Sequence, residues 1–89
     1  MIQAHIFYSG TVHGVGFRYT VQNFAKEFGL VGWVKNLRDG RVEILVEGSK
    51  DVIDQLMNRV EDNFGEYIRG KEIEIQSAQG QLKDFRITY

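Results

Sequence analysis

The hydrophobic residues of this chain switch between the two-residue period of a strand and the helical period of about 3.6, in an order that leaves few folds open. Gln3–Ser9 carries Ile6, Phe7 and Tyr8 in a strand-like run stopped by Gly10. From Phe17 the period changes, because Phe17, Val21, Phe24, Ala25 and Phe28 fall on one helical face. Gly29 suits a left-handed cap with Leu30 as the apolar residue beyond it, so the spacing predicts a helix over Phe17–Phe28. Val31–Leu37 and Arg41–Glu47 then read as strands joined across Arg38-Asp39-Gly40, a strong hairpin signal.

The register of that hairpin decides which residues face inward. A type I turn at Arg38-Asp39 with Gly40 left-handed sets Asn36 opposite Val42, Lys35 opposite Glu43 and Val34 opposite Ile44. A two-residue Asp39-Gly40 loop would instead pair Leu37 with Val42 and bring Lys35 onto the face of Ile44. The first register separates apolar from charged residues and is the one expected. Ser49 is a helix cap with Asp51 at the positive end of the dipole, and Val52, Ile53, Leu56, Met57 and Val60 form one stripe behind it. Beyond Asn63 the pattern weakens. Lys71–Gln76 alternates as a strand with Ile73 and Ile75 on one face, and Leu82–Tyr89 reads as a short closing strand.

The order strand, helix, strand, strand, helix, strand predicts one α+β domain over residues 1–89. It is a ferredoxin-like split βαβ sandwich (βαββαβ), an antiparallel sheet with two helices on one face and an extra strand at the end. That architecture hosts many functions and names none.

Composition removes several classes. The 89 residues contain no cysteine and only two histidines, His5 and His13, so neither a disulfide framework nor a thiolate or histidine metal cluster is expected. Net charge is -1, and basic residues such as Lys35, Arg38 and Arg41 are interrupted by Asp39 and Glu43, which argues against a nucleic-acid partner. No stretch approaches the roughly 18 apolar residues of a membrane span, and the start has no secretory pattern. No membrane partner is expected, and a cytoplasmic location follows by default.

The informative stretch is Gly10-Thr11-Val12-His13-Gly14-Val15-Gly16-Phe17-Arg18, between a strand and a helix. Glycines let the backbone curl so that several N–H groups point at one anion, and a helix start adds its unsatisfied N–H groups. Arg18 falls in the first helical turn, where the dipole disfavours a cation, and its planar fork can grip two phosphate oxygens. A Walker loop and a dinucleotide fingerprint are both absent; Tyr19 stands where the latter needs its third glycine. The residues alone leave open an ordinary glycine-rich turn with an exposed Arg18.

Gly10–Arg18 resembles the acylphosphatase signature Gly-x-Val-Gln-Gly-Val-x-Phe-Arg at every specified position but one. Gly32-Trp33-Val34-Lys35-Asn36 with Asp39-Gly40-Arg41-Val42-Glu43 is similar to that family's second characteristic block, and Phe85-Arg86-Ile87 resembles its last strand. The resemblance implies the ferredoxin-like fold and the hydrolysis of acyl phosphates without metal, cofactor or covalent intermediate; a monomer whose partner is its small-molecule substrate is expected. It implies that Arg18 binds phosphate, that Asn36 positions the attacking water, and that the backbone of His13, Gly14, Val15, Gly16, Phe17 and Arg18 forms the phosphate cradle.

Topology favours Asn36 separately: a crossover helix makes strands one and two parallel, so the carboxyl end of strand two lies beside the loop after Ser9. A plain turn-forming asparagine is the alternative. No serine or threonine here has an evident base partner, which suits direct attack by water. The departure from the motif is His13, in place of glutamine. A phosphate bound beside it is expected to favour its protonated form and add a pH dependence; an exposed loop histidine without a role is the alternative. Two rival functions are a stand-alone relative of the carbamoyl-phosphate-specific domain fused to hydrogenase-maturation carbamoyltransferases, disfavoured by the short chain, and a non-catalytic module that binds a phosphorylated metabolite.

Overall fold

A computed structural model describes residues 1–89. Its elements are β1 (Ile2–Gly10), α1 (Phe17–Glu27), β2 (Val31–Asn36), β3 (Val42–Gly48), α2 (Lys50–Phe64), β4 (Ile68–Ser77) and β5 (Phe85–Thr88). The sheet order is β4-β1-β3-β2-β5. β3 lies between β1 and β2 and is antiparallel to both, so β1 and β2 run in the same direction. The hairpin adopts the expected register, with Val34 opposite Ile44, Lys35 opposite Glu43 and Asn36 opposite Val42.

Helix α1 ends as its sequence predicts. Gly29 is left-handed (φ 71°), and the N–H groups of Gly29 and buried Leu30 donate back to Lys26 and Ala25. At the start of α2 the Ser49 hydroxyl accepts from the Val52 N–H at 3.4 Å. One sheet face carries Ala4, Ile6 and Tyr8 of β1, Val34 of β2, and Val42, Ile44 and Val46 of β3, all buried against the helices. Phe17, Val21 and Ala25 of α1 and Ile53, Leu56, Met57, Val60 and Phe64 of α2 complete that layer. No helix is long and apolar enough to cross a membrane.

Two expectations need correction at the end of the chain. The sheet is not wholly antiparallel, because β5 joins the edge beside β2 and runs parallel to it, with Val34 opposite Ile87. It is shorter than Leu82–Tyr89 suggested, while β4 begins three residues before Lys71 (71 − 68 = 3) and pairs along all of β1. The reason is that residues 78–84 carry the chain from one sheet edge to the other. Glu47, only 4% exposed, holds that crossing: it accepts from the backbone N–H groups of Gln79 (3.0 Å) and Gly80 (3.3 Å) and from the Gln3 amide (2.7 Å).

Candidate active site

The loop between β1 and α1 is clamped at its start. Gly10 has φ 125°, and a Cβ there would collide with the Tyr67 carbonyl oxygen and the Arg69 backbone. The same carbonyl accepts from the Thr11 N–H at 2.9 Å. Gly14 (φ 77°) and Gly16 (φ 76°) are left-handed with open space where a Cβ would stand, so conformation rather than room selects glycine at both. With the chain curled in this way, none of the N–H groups from Val12 to Gly16 donates to a backbone carbonyl. Helix α1 begins at Phe17 with no side-chain cap and no acidic residue in its first turn. Its unsatisfied N–H groups and partial positive charge therefore stand at the same place.

A cleft of about 190 Å³ opens there. Val12 and Phe17, both core residues, contribute buried apolar surface; Gly14 and Gly16 contribute backbone. Arg18 and Asn36 enter from α1 and β2, and Tyr19, Ile87 and Tyr89 line the remainder. Arg18 has no carboxylate partner; its guanidinium carbon lies 5.2 Å from the centroid of the Tyr89 ring. Stacking of that kind uses the flat face of the guanidinium and leaves its edge N–H groups available. Asn36 Oδ1 is buried and is the one buried side-chain polar atom without a hydrogen-bond partner. An uncompensated cation, a run of open N–H groups and an asparagine with an orphan acceptor thus share one cleft that no side-chain carboxylate lines.

Of the residues singled out in the sequence, Gly14, Gly16, Phe17, Arg18 and Asn36 line this cleft, and His13 and Val15 do not. Val15 packs against the core instead. The expectation that the His13 ring would meet a bound phosphate is not met by its geometry. Its Nε2 donates to the Arg41 carbonyl oxygen at 3.0 Å, which turns the ring toward the β2–β3 hairpin. Arg41 is itself held by Asp39, through its Nε at 2.9 Å and its N–H at 3.1 Å.

Sequence reasoning missed Tyr19, Ile87 and Tyr89 as cleft residues. Tyr19 carried a signal, since it directly follows Arg18. Ile87 and Tyr89 carried none, because their place depends on β5 lying parallel to β2.

The chain matches the protein-family model described as Acylphosphatase over residues 4–87. It is 40% identical over 90 residues to the acylphosphatase of Bacillus velezensis, covering 100% of both chains. To the acylphosphatase of Trichormus variabilis it is 47% identical over 57 residues, a stretch covering 64% of this chain and only 56% of that protein. Among solved structures, the acylphosphatase from Bacillus subtilis superposes with a TM-score of 0.91 at 35% identity, again over 100% of both chains. With a match that runs from β1 into β5, this chain belongs to the acylphosphatase family.

Proposed function

We propose that this protein hydrolyses acyl phosphates to a carboxylate and inorganic phosphate by direct attack of water, with Arg18 and Asn36 as its catalytic residues. The observation that carries this reading is that Asn36, whose buried Oδ1 has no hydrogen-bond partner in the protein, lines the same cleft as an unpaired Arg18. Cation and cradle alone would suit any phosphate binder. A bare acceptor beside a phosphate would repel its oxygens, unless a water stands between them and donates to it. A site built only to bind has no use for that acceptor. Catalysis by water does.

In the proposed reaction, the Arg18 guanidinium and the backbone N–H groups of Gly14, Gly16, Phe17 and Arg18, the loop residues that line the cleft, take the phosphoryl oxygens and stabilise the charge that spreads over them. Asn36 Oδ1 accepts one O–H of the water and aims its oxygen at phosphorus, opposite the acyl group. The water oxygen bonds to phosphorus as the bond from phosphorus to the acyl oxygen breaks, and the electron pair departs with the carboxylate. No side-chain carboxylate or imidazole lines the cleft, so the water's proton passes to a phosphate oxygen. The carboxylate is already a good leaving group, so positioning and charge stabilisation suffice.

Purified protein mixed with benzoyl phosphate in the presence of a chelator tests the reading. Loss of the acyl phosphate well above the spontaneous rate is expected. Hydrolysis no faster than background would overturn it.

A further inference from the structure

Tyr19 is an exposed aromatic residue that the fold does not use. It is 69% exposed, stacks on no other ring and no cation, and makes no side-chain hydrogen bond. Its position in the first turn of α1 needs no aromatic residue, since tyrosine is a middling helix former. The other apolar residues on the cleft are accounted for: Val12 and Phe17 belong to the core, Ile87 packs against it, and the Tyr89 ring stacks on Arg18. Tyr19 alone offers an unengaged apolar face to whatever the cleft holds.

We infer that Tyr19 is a specificity-determining residue that receives the acyl group and favours substrates whose acyl portion is flat and apolar. This rests on the acyl-phosphate reading above. In-line displacement puts the leaving group and the water on opposite sides of phosphorus. Asn36, which holds the water, enters from the sheet layer, whereas Tyr19 enters from the helix layer. The acyl end of the substrate therefore leaves the cradle on the side of Tyr19. An aromatic acyl group can stack there in an offset or edge-on arrangement, and an acetyl group is too short to cover the ring.

The test compares kcat/KM for benzoyl phosphate and acetyl phosphate in the native protein, Tyr19→Ala and Tyr19→Phe. The ratio of benzoyl to acetyl is expected to fall about fivefold in Tyr19→Ala, and to return in Tyr19→Phe because the ring rather than the hydroxyl is responsible. If the native protein hydrolyses both substrates and the ratio is unchanged in Tyr19→Ala, the role of Tyr19 is overturned and the catalytic reading stands. If the native protein hydrolyses neither, the catalytic reading falls, and the inference falls with it.

Discussion

The ring of His13 donates from Nε2 to the carbonyl oxygen of Arg41, 3.0 Å away, and so faces the hairpin rather than the cleft that its own loop encloses. That carbonyl also accepts from the Leu37 N–H at 2.8 Å, so loop and hairpin share one acceptor. His13→Gln keeps a donor at this position, and its pH–rate profile with benzoyl phosphate should superimpose on the native one. His13→Ala removes the tether, at a cost of about 0.5–1 kcal/mol because the bond is exposed to water. Urea denaturation measures that loss.

In the proposed reaction Arg18 serves function and not stability. The dipole of α1 disfavours a cation in its first turn by about 0.3–1 kcal/mol, and the Tyr89 stack returns a similar amount. Arg18→Ala should therefore leave the urea midpoint nearly unchanged while lowering kcat/KM by at least roughly 10²-fold. Arg18→Lys should recover only part of that, since a lysine cannot span two phosphoryl oxygens.

The buried Asn36 Oδ1 costs stability because nothing in the protein donates to it. Asn36→Leu, similar in size, should raise stability by about 1 kcal/mol. The same change should lower kcat at least about 10²-fold and shift inhibition by inorganic phosphate far less, because the proposed work of Asn36 is on water. A parallel fall in both would mean that Asn36 binds phosphate.

Two glycines of the loop should respond differently to alanine. At Gly10 the methyl group meets the Tyr67 carbonyl and the Arg69 backbone, so Gly10→Ala should cost about 3 kcal/mol or more. At Gly14 there is open space, and only the left-handed conformation is penalised, by about 1–2 kcal/mol. Chemical denaturation of the two variants side by side measures the difference.

Glu47 gives the acid limb of stability its sign. The Gln79 backbone N–H, then the Gln3 amide and the Gly80 N–H, hold its carboxyl below the usual glutamate range, against the opposing effect of burial. A lowered folded value means that the native state binds this proton less readily than the unfolded chain. Its contribution is complete above the ordinary glutamate range and is lost as the pH falls through the lowered value. Urea midpoints measured across acidic pH should fall less steeply in Glu47→Gln than in the native protein.

The strand and helix periods, the Gly29 cap, the Ser49 cap and the Asp39-Gly40 hairpin were all legible along the chain, because each depends on neighbours a few residues apart. So was the pairing of Asn36 with Val42, since only one register separates Val34 and Ile44 from Lys35 and Glu43. Those local rules were enough to bring Arg18 and Asn36 to one end of the sheet. They reached only Lys71–Gln76 of β4 and not its start at Ile68, because Ile73 and Ile75 stay exposed and the pattern is correspondingly weak. Nor could they place β5: its parallel seat beside β2 follows from a crossing anchored on Glu47, a residue thirty-two positions before Gln79. The direction of the His13 ring, the stack of Tyr89 on Arg18 and the unengaged Tyr19 were likewise settled by long-range packing. Sequence alone determined which residues form the glycine-rich loop and which asparagine ends beside it. Only the tertiary structure decided which side chains face the cleft, because facing is set by contacts between elements that the chain brings together last.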